Sequence, residues 1–296
     1  MDIPKGNRFG RVHLHWLFGL IVLIAVTPMF VLYFGRLQTN RAEALAQARS
    51  QVHEFATRAA NVEADIAIKS RHVLETLARA TTLPRASNDC DSFLRWVQHL
   101  VVGQGTTPWI TGLFTTDSKG NYICGTFRNG KSVSLGDREY FAQAIENHKF
   151  ATSGILVGRM SKRLIIGATL PIYDSNGNVD MTLTLGADLY RFNAIATEAR
   201  DRFGGRMLVI DEQGRLLADL PQGKRRRPRF EDPVVIDRIL KADTPTVEIA
   251  DEQGIRSIYG IQNLAHGQKV AVAPPPDSLL APIERAFRSD LLFLLL

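Results

Sequence analysis

Apolar residues are distributed along this chain in two ways, as unbroken runs towards its ends and as periodic stripes between them. The first run occupies residues 12–34, and residues 14–34 carry no formal charge. About 20 apolar residues rising 1.5 Å each cross a hydrocarbon core of roughly 30 Å. The run therefore predicts a transmembrane helix, with Lys5, Arg8 and Arg11 on its cytoplasmic side and residues 1–11 as a cytoplasmic N-terminus. Trp16 and Tyr33 fall where amphipathic rings favour the headgroup zone, and Pro28 is tolerable inside a span. A cleaved signal has an apolar core of about 7–15 residues closed by a small-x-small site. Here the chain runs on into Arg36-Leu-Gln-Thr-Asn-Arg41, so the segment reads as a retained anchor. The second run, 291–296, reads as the start of another span, since six residues cannot cross a bilayer.

Between the runs the periodicity changes twice. Residues 35–84 predict one long stalk helix: Gly and Pro are absent from 37–83, and strong helix formers dominate. Leu45, Val52, Phe55, Ala59, Val62, Ile66, Val73, Leu74 and Leu77 recur at three- and four-residue steps, and Pro84 closes the helix. A short helix is then expected after Cys90, followed by strands at 110–116, 121–127, 150–157, 163–173 and 179–188. A helix near 189–203 leads to a second set at 206–210, 215–218, 246–249, 255–261 and 269–273. Turns of Asp- and Gly-containing type imply antiparallel pairing. Asp117-Ser-Lys-Gly120 and Asp211-Glu-Gln-Gly214 occupy the same place after the first strand of each set, an internal echo. A C-terminal helix at 277–290 would lead into the second span. The fold class expected is α+β.

Composition adds little beyond this. Hydrophobic content of 45% and charged content of 22% describe a core-forming globular chain. The net charge of +6 is partly the N-terminal flank, and no basic, aromatic-interleaved repeat suits a nucleic acid. Lys224-Arg-Arg-Arg-Pro-Arg229 reads as a solvated loop. In a translocated domain the two cysteines, Cys90 and Cys124, suggest a disulfide worth about 3–4 kcal/mol in the chain-entropy model, with two buried thiols as the alternative. No HExxH, Cys-x-x-Cys, GxxxxGK[ST] or Gly-x-Ser-x-Gly motif is present, so no catalytic residue, metal or cofactor is expected.

Several residues then carry a resemblance. They are Cys90, Asp117-Ser-Lys-Gly-Asn-Tyr-Ile-Cys124, Leu135-Gly-Asp-Arg-Glu-Tyr-Phe141, Gly158-Arg159, Leu170-Pro171, Gly177 and Gly186-Ala-Asp188. The chain resembles the double Cache domain, the extracytoplasmic sensor of bacterial chemoreceptors, histidine kinases and diguanylate cyclases. That resemblance implies two PAS-like sheets packed on the long helix: a membrane-distal subdomain at 85–195 that binds ligand, and a membrane-proximal one at 196–276. It implies a small ligand (an organic anion or an amino acid), a homodimer, and a bacterial inner-membrane location with 35–290 outside the cytoplasm. The membrane is engaged through 12–34 and from 291 onward. Amino-acid-binding members use an Arg-x-aromatic-aromatic element, matched by Arg138, Tyr140 and Phe141, and an acidic strand-end residue, similar to Asp188. Their further Tyr-x-Asp element has no counterpart in Gly154-Ile-Leu-Val-Gly-Arg159.

From the residues themselves, Asp137 is an N-cap candidate for a helix at 138–147. Arg138 offers a planar fork for a carboxylate, and Arg159 is a second cation. Asp188 either takes an ammonium group or caps the helix after it. The competing function is a partner-sensing or structural ectodomain without a small ligand, its distal half filled by Tyr140 and Phe141.

Overall fold

The computed structural model describes residues 9–80, 83, 90–97, 109–127, 133–221, 232–254 and 256–275. The expected C-terminal helix at 277–290, the run at 291–296 and the basic cluster at 224–229 lie outside the described residues. The chain divides into two compact units, one holding the residues up to Ala48 and the other starting at Arg49. Helix α1 (Phe9–Ala80) contributes to both. It covers the expected span and the expected stalk, and it ends before Pro84.

In the first unit, Trp16, Leu20, Leu23, Ile24, Phe30, Val31, Leu32 and Phe34 of α1 are all exposed. Pro28 lies within the helix, and the Thr27 hydroxyl donates to the Leu23 carbonyl at 2.6 Å. Among the described residues no helix is long and apolar enough to cross a membrane. Several side chains of the 12–34 segment are not among those described.

The second unit is built on two sheets with one plan. After α2 (Cys90–Val97) come β1 (Ile110–Asp117), β2 (Tyr122–Gly125), α3 (Glu139–Glu146), β3 (Ala151–Val157), β4 (Leu164–Tyr173) and β5 (Val179–Asp188). Helix α4 (Tyr190–Phe203) leads to β6 (Arg206–Ile210), β7 (Leu216–Leu220), α5 (Pro233–Leu240), β8 (Thr246–Ala250), β9 (Arg256–Asn263) and β10 (Lys269–Ala273). The strand orders are β2-β1-β5-β4-β3 and β7-β6-β10-β9-β8, so the second sheet repeats the topology of the first. The internal echo is therefore structural.

The echoing turns have a common cause. In each, an Asp carboxylate accepts two backbone N–H groups further along: Lys119 and Asn121 on Asp117, Asn176 and Asn178 on Asp174, Gln213 and Arg215 on Asp211. The closing glycine must then adopt a left-handed backbone, with φ of 86° at Gly120 and 78° at Gly214.

Alternation along the strands divides the apolar residues between two faces. One face of each sheet packs on α1, where Val52, Phe55, Ala59, Val62, Ile66, Leu74 and Leu77 are buried. Leu113, Ile166, Leu183 and Leu185 of the first sheet and Met207, Val209, Val270 and Val272 of the second share that core with α1, α2 and α4. On its other face each sheet carries a short helix. Phe141 of α3 packs with Phe114 and Leu135, and Val235 and Ile239 of α5 pack with Leu208, Ile210 and Tyr259. Helix α5 was not expected from the sequence. Its signal is Asp232-Pro233, an N-cap whose carboxylate accepts the Val234 N–H followed by proline in the first turn.

Cys90 and Cys124 form a disulfide that ties α2 to β2, with Cα atoms 5.6 Å apart.

Candidate ligand-binding site

A cavity lies on the face of the first sheet that α3 covers, opposite α1. Its floor is made by an absence of side chains. Gly112, Gly186 and Gly167 are paired in register across β1, β5 and β4. A Cβ at Gly167 would lie 2.8 Å from the Tyr140 ring, and one at Gly112 would lie 2.1 Å from the Phe127 ring. The glycine row thus lets two aromatic rings lie close over the sheet. The walls are Phe114, Leu135, Leu156 and Ile165, with Thr111 and Thr184 supplying hydroxyls. The Thr111 hydroxyl donates to the Gly186 carbonyl at 3.0 Å, and that of Thr184 is 2.9 Å from the Thr169 hydroxyl.

Arg138, Tyr140 and Arg159 all line this cavity. Arg138 is the N-cap residue of α3 and donates to the Val157 carbonyl at 3.3 Å. Tyr140, in the first turn, is buried, and burial pushes its phenol up to about 12. Arg159, in the β3–β4 turn, donates to the Ser134 carbonyl at 2.6 Å and to both carboxylate oxygens of Asp137. That pairing holds the Asp137 carboxyl below the usual range and raises the Arg159 guanidinium. Space reachable by the centre of a water molecule amounts to about 30 Å³.

The remaining expected residues are placed differently. Asp137 does not cap α3: its carboxylate is committed to Arg159, and α3 has no side-chain cap. Phe141 stands behind the cavity, buried against Phe114 and Leu135. Asp188 lies outside it. Its carboxylate accepts from Arg163 at 2.8 Å, it lines a groove with Asp65, Trp109 and Tyr190, and it does not cap α4, whose N-cap is Leu189. Among the described residues the cavity lining therefore contains two arginines and no carboxylate. A planar guanidinium at a half-buried wall suits a carboxylate or another planar anion. No group of three or more His, Cys, Asp or Glu among the described residues could hold a metal ion. The residues missed from the sequence are the glycines and threonines of the floor. Glycine inside a strand was the available signal.

Comparisons with known proteins bear on this geometry. No family model matches the chain. The sequence is 25% identical over 219 residues to sporulation kinase D of Bacillus subtilis, a match covering 73% of this chain and 40% of that protein. The chain thus spans well under half of that relative. The ligand-binding domain of Mlp24 with asparagine aligns over 82% of this chain and 98% of its own, at 12% identity and a TM-score of 0.56. The ligand-binding domain of the Pseudomonas aeruginosa amino-acid chemoreceptor PctC, in complex with GABA, covers 76% of this chain and 99% of its own. Its identity is 14% and its TM-score 0.51. These structures are ligand-binding sensor domains rather than catalytic ones. The long helix, the two sheets of one topology and these likenesses agree: the chain has the double Cache fold of extracytoplasmic sensor domains.

Proposed function

We propose that this chain is the sensory part of a membrane-anchored receptor and that the first sheet binds a small organic anion. The observation that carries the reading is the convergence of Arg138, Arg159 and Tyr140 on one cavity without a lining carboxylate. An amino acid would also need an acceptor for its ammonium group. Asp188, the strand-end candidate, is engaged with Arg163 away from the cavity. A carboxylate without an adjacent ammonium fits better. On binding it would replace Asp137 on Arg159 and open the wall at the β3–β4 turn. The fold relatives with asparagine and GABA bound support a small-molecule role for this architecture. The apolar, uncharged run at 14–34, with its exposed Trp16, Leu23 and Phe34, supports an anchor and an extracytoplasmic sensory unit. The sporulation kinase likeness supports an output module of kinase type.

The test is a thermal-shift and calorimetric screen of the full chain in mild detergent against small carboxylates and amino acids. A ligand at 100 times its Kd stabilises the folded state by about 2.7 kcal/mol. A carboxylate hit should be lost with Arg159→Ala and weakened with Arg138→Ala. A hit indifferent to both substitutions, or one that prefers amino acids over their deaminated analogues, would sink the reading.

The small free volume, about 30 Å³, favours a second reading in which Tyr140 plugs the cavity and the unit senses a partner protein. A complete screen without any hit would select it.

A further inference from the structure

Strand β3 is an edge strand, and an edge strand presents unpaired N–H and C=O groups. At Ile155 both groups are taken by one side chain from the turn between β9 and β10 of the other sheet. The Gln268 carboxamide accepts the Ile155 N–H at 2.7 Å and donates to the Ile155 carbonyl at 3.0 Å. This two-point contact has the form of the pair exchanged by neighbouring strands. It is sheltered, since Gln268 is 8% exposed, and close-fitting, since a Cβ on Gly154 would lie 2.6 Å from the carboxamide nitrogen.

Gln268 belongs to the turn between β9 and β10. The turn is closed by Leu264 N–H donating to the Gln268 carbonyl at 2.8 Å, and it contains left-handed residues at His266 (φ 55°) and Gly267 (φ 65°). Its other side is gripped by α1, where the buried Glu63 carboxylate accepts the Ala265 N–H with both oxygens, at 3.0 and 3.1 Å. One turn of five residues therefore holds the edge of the first sheet with one hand and the long helix with the other. Beyond Ile155, β3 supplies Leu156 to the cavity wall and leads into the turn that carries Gly158 and Arg159.

We propose that the 264–268 turn is a mechanical coupler: displacement of β3 at the cavity wall is passed through Gln268 to Ala265 and from there to α1 at Glu63. A two-point bond transmits rotation as well as translation, which a single hydrogen bond does not. The coupling is a property of the unliganded fold, so its test needs no ligand and can fail while the anion reading stands.

The experiment is amide hydrogen exchange on the full chain in detergent, read at Ile155 and Ala265 together. Gln268→Ala should speed exchange at Ile155 about tenfold or more, since a buried pair of bonds is lost. As a coupler it should also speed exchange at Ala265, whose own bond is untouched by the substitution. Glu63→Ala should act in reverse and loosen Ile155, whereas Glu63→Gln, which keeps an acceptor, should leave Ile155 as it is. If Gln268→Ala does not fold, Gln268→Met, close to it in size, removes both bonds and gives the same two readouts. Acceleration confined to the mutated end, or at neither end, overturns the proposal.

Discussion

Alkaline titration gives a direct test of how deeply Tyr140 is buried at the cavity. Tyr140 is 6% exposed, and its burial raises the phenol pKa from 10.0 to about 12. Arg138 and Arg159 pull it back and Asp137 pushes it further, but burial is the larger cause. Below pH 10 the phenol is protonated in folded and unfolded chains alike. Between pH 10 and 12 the unfolded phenol ionises while the folded one stays protonated. The folded state then binds more protons, so stability falls as pH rises through that window. At about 1.4 kcal/mol per pH unit, the full window costs roughly 3 kcal/mol. The assay is urea denaturation of the full chain at pH 9 and pH 11.5, comparing wild type with Tyr140→Phe. Lysines and the other tyrosines titrate in both proteins, so the difference between them isolates Tyr140. Tyr140→Phe should lose about 2 kcal/mol less than wild type between the two pH values. Equal losses would mean that the hydroxyl already meets water, and the burial of Tyr140 would be wrong.

Other perturbations test the frame that holds the cavity. Phe55 is fully buried on α1, its ring 5.5 Å from that of Phe203 and the Arg58 guanidinium 5.0 Å from its centroid. Phe55→Ala should cost about 3–5 kcal/mol by chemical denaturation, and a cost below about 1 kcal/mol would contradict the packing. Reducing Cys90–Cys124, or substituting Cys124→Ser, should lower stability by about 2–4 kcal/mol and loosen α2 first, as limited proteolysis around 90–97 would report. Burial raises the Glu63 carboxyl above its ordinary 4.5, while the Ala265 N–H and nearby His266 act the other way. The folded state then takes up this proton at higher pH than the unfolded chain. Its stability contribution falls as pH rises through the window above 4.5 and is flat beyond it. Glu63→Gln keeps the acceptor and should flatten that slope, leaving a variant at least as stable as wild type at pH 7; an unchanged slope would refute the assignment.

What was legible in the sequence were patterns that repeat locally, and what was not were partnerships made across register. Strands β6 and β10 emerge at their expected bounds because Met207 and Val209 alternate with Leu208 and Ile210, and Val270 and Val272 with Ala271 and Ala273, between opposite faces. The Asp-x-x-Gly turns were legible because carboxylate and glycine act within five residues. The cavity floor was not. Gly112, Gly167 and Gly186 become one feature only when three strands align, and no local window contains that alignment. Asp137 failed as a cap for the same reason, since its partner Arg159 is brought in by the β3–β4 turn.

Asp188 shows the limit of periodicity most clearly. It has the parity of Thr184 and Gly186, which line the cavity, so a period of two places its side chain there as well. The ladder is irregular at just this end, with a register shift on β1 between Ile110 and Gly112. The Asp188 N–H donates to the Trp109 carbonyl at 2.6 Å, and the carboxylate turns to Arg163. The extra residue is on β1, while β5 keeps its register with β4 through Asp188 and Ile165. The ion pair with Arg163, not a bend in its own strand, therefore accounts for where the carboxylate lies. The Asp188 carboxylate is thus engaged outside the cavity, whose lining holds two arginines and, among the described residues, no carboxylate.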